Sequence, residues 1–138
     1  EATLRLYREG RASELPALAA IQSPPEEQRQ KATRLALALA EKGIAATVVE
    51  CEGQVGGGSL PLRKLPGAGV ALQGEPAGLL AALRSQSPAV IALVREGKVV
   101  LDVRCVLDLA ELATAVAQAN VRAVRLESAK IPEQEKEE

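Results

Sequence analysis

Residues 89–107, AVIALVREGKVVLDVRCVL, hold two β-branched runs separated by Glu96 and Gly97. Two such runs joined by a tight, glycine-containing connection predict an antiparallel hairpin. Asp108 follows at once, with Glu111 three residues on and Leu109, Leu112, Ala113 and Val116 at helical spacing. That pattern predicts a capping box opening a helix, with Asn120 as its end. The tail of the molecule is therefore hairpin then helix.

Working upstream, Pro76 opens a predicted helix through Arg84, with Leu79, Leu80 and Leu83 on its buried side. Before it stand two strand-like stretches, ATVVECE (46–52) and GAGVALQG (67–74), joined by a glycine-rich loop. The best-marked helix precedes them. Ser23 is expected to cap it, with Pro24 in its first position and Glu26 completing a capping box. Ala32, Leu35, Ala36 and Leu39 keep the helical period, and Gly43 supplies the stop. SELPALAAI (13–21) predicts a short helix with Leu15, Leu18 and Ala19 on its apolar side. EATLRLYREG (1–10) reads as the end of a helix that starts before Glu1, and the missing initiator Met agrees with an excised fragment.

The order α-α-β-β-α-β-β-α implies the α+β class, a small antiparallel sheet of about four strands covered on one face by helices. VRAVRL (121–126) is read as an extra edge strand. Residues 127–138 carry five acids and two bases, a net −3, which leaves +2 for the rest of a chain of net −1. KIPEQEKEE (130–138) has the composition of a solvated, disordered segment. The domain is thus set at 1–119, and a charged, disordered tail is expected at 120–138.

Composition bounds the function. The 138 residues suffice for one domain with a hydrophobic core, and 47% apolar with 25% charged residues is ordinary globular usage. Phe, Trp and Met are absent and Tyr7 is the single aromatic, so the aromatic platforms of single-strand nucleic-acid binding are missing. The charge balance suggests neither a nucleic-acid nor a membrane surface. No run approaches the ~18 apolar residues of a membrane span, and no signal peptide opens the chain, so the expected location is cytoplasmic.

A catalytic inventory comes up short. There is no His and no serine in a nucleophile elbow, and Lys42, Lys64 and Lys98 read as helix-end, loop and turn residues. Cys51 and Cys105 lie 54 positions apart with no zinc-ligand pattern, and are read as two buried, reduced thiols. GAGVALQG leads into a strand, not a helix, so it is no dinucleotide fingerprint. Gly56, Gly57 and Gly58 could form an anion-binding nest or simply a hinge. Arg104, flanked by apolar neighbours in LDVRCVL, reads either as an outward strand residue paired with Asp102 or Glu96, or as a fork pointing into a site.

EATLRLY, QVGGGSLP (54–61), the pairs LP at 65–66 and LR at 83–84, P-x-V at 88–90 and G-x-x-x-L-D-x-R-x-V (97–106) occur in a fixed order. In that order they resemble the C-terminal region of bacterial selenocysteine synthase, the L-seryl-tRNA(Sec) selenium transferases, over roughly residues 1–119. The resemblance implies a fold-type I pyridoxal-phosphate enzyme of aspartate aminotransferase architecture, ending in a smaller α+β domain. The cofactor, pyridoxal 5'-phosphate, and its lysine would belong to a large domain upstream, leaving this fragment inactive alone. The implied reaction turns seryl-tRNA(Sec) into selenocysteyl-tRNA(Sec) with selenophosphate, in a homo-oligomer. Arg104 would then contact substrate. Gln54, Gly56, Gly57, Gly58 and Ser59 would form a loop at the cleft or at a domain boundary. The chain departs from the family where Leu62-Arg63-Lys64 follows SLP, where Leu93 replaces an Arg, and where Cys105 replaces the commoner Thr. Two alternatives stand beside this reading: a related lyase with a small-molecule substrate, and a stand-alone ferredoxin-like ligand-binding module.

Overall fold

In a computed structural model, residues 1–55 and 64–128 are described, the side chains of 126 and 127 excepted. They form α1 (Ala2–Arg8), a 3-10 turn (Ala12–Glu14), α2 (Pro16–Gln22), α3 (Pro25–Ala40), β1 (Ala46–Gln54), β2 (Lys64–Leu72), α4 (Pro76–Arg84), β3 (Leu93–Arg95), β4 (Lys98–Asp102) and α5 (Leu109–Ser128). The four strands make one antiparallel sheet in the order β1-β2-β4-β3. This is the expected α+β architecture.

The hairpin forms at the expected turn. Glu96 (φ 51) and Gly97 (φ 72) both take the left-handed region, the backbone of a turn whose twist matches the flanking strands. β3 is shorter than its sequence run. The Val90 N–H is bound by Leu83 O at 3.0 Å, so residues 89–90 close the end of α4 and do not extend the ladder.

Alternation along the strands sorts the sheet into two faces. Ala68, Val70 and Leu72 of β2 and Val99 and Leu101 of β4 point at the helices. There they meet Ala32, Leu35 and Leu39 of α3, Leu79, Ala82 and Leu83 of α4, and Ala113, Val116, Ala119 and Ala123 of α5. Leu35, Leu39, Leu83 and Val116 are fully enclosed; a Leu so placed contributes roughly 1.5–3 kcal/mol over an exposed one. The outer face is thinner: Cys51, Ala71 and Val100 form a small cluster with Val49. The Arg95 side chain donates to Glu52 O at 3.2 Å.

Two helix boundaries correct the sequence reading. α3 begins at Pro25 with Pro24 before it, and Ser23 Oγ accepts from the Gln28 side chain at 2.6 Å in place of a backbone N–H. Two successive prolines lack N–H groups and shift the first helical turn by one residue. Gly43 (φ 75) does close α3, Ile44 N returning to Leu39 O at 3.0 Å. Asp108 does cap α5, its Oδ1 accepting from Ala110 N at 2.8 Å and Glu111 N at 2.9 Å. α5 then runs through Asn120 to Ser128. The 121–126 segment is therefore helix and not an edge strand, because Ala123 continues the stripe of Ala113, Val116 and Ala119 into the core. Residues 120–128 of the expected tail are thus helical, and the remainder of the disordered-tail reading, 129–138, lies outside the described residues.

Candidate functional site

β4 ends at Asp102 and the chain continues in line, Val103 N donating to Ala68 O at 3.4 Å. Extending the β2–β4 register by two residues sets Arg104 beside Gly67 on the outer face. Asp102 fixes the backbone there, its Oδ1 accepting from Arg104 N at 2.9 Å. The arginine stem then lies flat over two glycines. A Cβ on Gly67 would stand 2.5 Å from Nη2, and one on Gly53 3.2 Å from Nε. A side chain at either position would have to displace the arginine.

The guanidinium donates from Nη1 to Ala20 O at 2.9 Å, and from Nη2 to Leu65 O at 3.2 Å and Pro66 O at 2.7 Å. One side chain thus ties α2 to the start of β2, the strand that leaves the glycine-rich loop. Its partners are neutral carbonyls. Among the described residues the guanidinium has no carboxylate in salt-bridge range, so neither Asp102 nor Glu96 is its ion-pair partner. Nε is buried without a partner. Gln54 is the last residue of β1, opposite Lys64, whose Nζ is 2.9 Å from Glu52 Oε2. Gly56, Gly57, Gly58 and Ser59 lie outside the described residues. The structure therefore brings Arg104 to both stems of that loop, through Gly53 on one side and Leu65 and Pro66 on the other.

A cavity of about 430 Å³ opens where α2, the start of α3 and residues 104–107 meet, within the rough 300–1,000 Å³ range of small-molecule sites. Arg104, Cys105, Lys31 and Gln28 line it, over a floor that includes Pro16 and Ala20. Lys31 Nζ donates to Val106 O. Burial pushes its pKa down, against the opposing pull of Cys105 and Glu27. Gln28 is 2% exposed, and its Oε1 has no partner. Sequence reasoning passed over both residues. The signal was a glutamine at the head of the Ala32, Leu35, Leu39 stripe, where an apolar residue belongs.

The two cysteines part company. Cys51 is buried, and burial, then Asp102, pushes its thiol pKa up. Cys105 is free and exposed, which corrects the expectation of two buried thiols. The strand alternation that buries Val103 ends there, as the chain turns with Val106 N on Val103 O at 3.2 Å. Among the described residues no His, Cys, Asp and Glu cluster could hold a metal, and no helix is long and apolar enough to cross a membrane.

Pyridoxal phosphate does not fit these residues. Its ring needs a stacking surface and its phosphate a cradle of N–H groups. The lining that surrounds Lys31 contains no aromatic, and Tyr7 stands half-exposed on α1. Lys31 itself is held by Val106 O.

A family model described as L-seryl-tRNA selenium transferase (SelA) matches residues 1–107. The L-seryl-tRNA(Sec) selenium transferase of Rhizobium meliloti is 38% identical over 133 residues, covering 89% of this chain and 28% of the relative. That of Moorella thermoacetica is 41% identical over 129 residues, covering 86% of this chain and 27% of the relative. That of Hyphomonas neptunium is 41% identical over 114 residues, covering 78% and 25%. The chain thus spans little more than a quarter of the length of these relatives.

Proposed function

The chain belongs to the L-seryl-tRNA selenium transferase family, and from that premise we propose that it is the C-terminal domain of a selenocysteine synthase. The intact protein converts seryl-tRNA(Sec) to selenocysteyl-tRNA(Sec), with selenophosphate as selenium donor. The observation that carries the reading is the match over residues 1–107, which takes in every described strand and Arg104. In this reading the cofactor and its lysine belong to another part of the protein. The cofactor, when bound there, serves as the electron sink for loss of the serine hydroxyl.

In this reading Arg104 sets the position of the loop between β1 and β2, holding both stems against α2, and presents its remaining Nη1 hydrogen towards an anionic group of the substrate. The loop with Gln54, Gly56, Gly57, Gly58 and Ser59 forms the boundary with the rest of the protein. The enzyme works as a cytoplasmic homo-oligomer.

The test uses the intact gene product. An absorption band in the visible that borohydride bleaches, together with conversion of seryl-tRNA(Sec) in the presence of selenophosphate, is the expected result. A pigmented protein that eliminates from a free amino acid but leaves seryl-tRNA(Sec) untouched would transfer the chain to the related lyase. A colourless protein of this chain's own mass would sink the reading.

A further inference from the structure

Lys31 and Arg104 are two cations at one cavity with no carboxylate bound to either among the described residues. Both donate only to carbonyl oxygens: Lys31 to Val106, Arg104 to Ala20, Leu65 and Pro66. Two carboxylates share the lining, Glu14 and Glu27. Glu14 is held by Arg11, with Nε–Oε1 at 2.6 Å and Nη2–Oε2 at 2.8 Å, so its charge is already matched. That leaves Glu27 against two cations. Arg34 also presses on Lys31, with Glu27 and Asp102 opposing it, and an ammonium losing solvation in a wall that also carries the Arg104 guanidinium favours an anion between the two. Lys31 has two further N–H bonds to give and Nη1 of Arg104 has one. Ser23, the Gln28 amide and the Cys105 thiol complete the polar part of the wall, and the rest is apolar: Pro16, Ala17, Ala19, Ala20, Val106 and Leu107.

We propose that this cavity binds a phosphoryl oxyanion, with Lys31 and Arg104 as its paired cations and Cys105 at its rim. Tetrahedral oxyanions suit this donor set: a guanidinium edge and a compact ammonium approach different oxygens. The two possible sources of such a group rest on the function proposed above. One is a free phosphate-like selenium donor; the other is a terminal phosphodiester of the RNA substrate. Oxyanion binding itself is independent of that reading.

Cys105 supplies the readout. It is exposed while Cys51 is buried, so iodoacetamide alkylation followed by peptide mass reports the cavity rim alone. The rate at Cys105 is measured in this chain at constant ionic strength, with chloride as reference. The probes are inorganic phosphate, thiophosphate and the trinucleotide CpCpA. Saturable slowing by at least one phosphoryl probe relative to chloride is expected. Lys31→Met and Arg104→Lys should each raise the half-protecting concentration about tenfold or more, the loss of one charge-assisted contact. Circular dichroism of both variants verifies that they fold.

Protection by phosphate and thiophosphate alone assigns the site to the free donor. Protection by CpCpA alone assigns it to the RNA, and protection by all three shows a shared phosphoryl seat. Rates that match chloride throughout, or protection that persists unchanged in a folded Lys31→Met variant, overturn the proposal. Failure of the selenium-transfer reading would show in the intact protein's activity, which this measurement does not touch.

Discussion

Arg104 lies across Gly67, its Nη2 2.5 Å from where a Cβ would stand, and this contact sets the cost of change on the outer face. Gly67→Ala would lift the guanidinium from Leu65 O and Pro66 O. The obstructing atom is the far end of a flexible side chain, so the loss is one of hydrogen bonds and not of backbone fit. The expected cost is roughly 1.5–3 kcal/mol, the range for a bond to a charged group, read as a drop in urea midpoint at unchanged slope. In an Arg104→Ala background the same substitution should cost almost nothing further, since its obstacle is gone. Equal costs in both backgrounds would refute the contact's importance.

Gly69→Ala is the contrasting case. A Cβ there would stand 2.6 Å from Leu101 O and 2.7 Å from Cys51 Sγ. A backbone carbonyl in the middle of the β2–β4 ladder cannot swing aside as an arginine tip can. Overpacking of this kind costs about 1–3 kcal/mol or more, and Arg104→Ala should give no relief. Measuring both alanine substitutions with and without Arg104→Ala separates a soft obstacle from a hard one.

The pH dependence of stability combines two opposed groups. Lys31 has a lowered folded pKa, so the unfolded chain binds more protons and stability rises with pH up to the ordinary lysine range, about 10.4. Cys51 has a raised folded pKa, so its contribution is complete below the ordinary thiol range, about 8.5, and is lost as pH climbs through the folded value. Between those limits the two partly cancel. Lys31→Met should therefore unmask a fall in stability with rising alkaline pH, and Cys51→Ala a rise, each followed by denaturant midpoints. Parallel profiles for wild type and both variants would contradict the assignments.

These pairs also show what the sequence could and could not convey. The Glu96-Gly97 turn, the Asp108 cap and the Gly43 stop are local chemistry, decided by residues within a few positions, and each was legible. The end of α5 was misread because Asn120 carries a helix-ending preference that burial of Ala123 overrides. Arg104 stands out in the sequence by its apolar neighbours, but its partners are the carbonyls of Ala20, Leu65 and Pro66, 84, 39 and 38 residues away. A backbone carbonyl has no residue-type signature, so no pattern could announce them. Gly53 and Gly67 were visible only as glycines; the reason for them is the arginine above.

The helix caps yield a smaller, cleaner test. Glu75 accepts from Ala77 N at 2.9 Å and Gly78 N at 2.8 Å, as Asp108 does at the start of α5. Truncating an N-cap of this kind costs about 1 kcal/mol, within roughly 0.5–2. Asp108→Ala should show the effect in thermal unfolding, and Asp108→Asn should recover most of it, because the amide oxygen still accepts. A deficit in the Asn variant as large as in the Ala variant would mean that charge at the helix end, not the cap bond, carries the effect.

The two roles proposed for Arg104 are separable in the intact enzyme. A lysine at 104 keeps a positive charge but cannot fork to Ala20 on one side and Leu65 and Pro66 on the other. If Arg104 works only by holding the loop stems, Gly67→Ala, which dislodges the guanidinium without removing it, should lower selenium transfer as much as Arg104→Lys does. If the side chain also meets an anionic group of the substrate, Arg104→Lys should raise KM more than Gly67→Ala does at matched stability. The expected result is the second, with about a tenfold separation in kcat/KM, near 1.4 kcal/mol of transition-state binding. Identical kinetics for the two variants would reduce Arg104 to a structural tether, and the cavity would then depend on Lys31 alone.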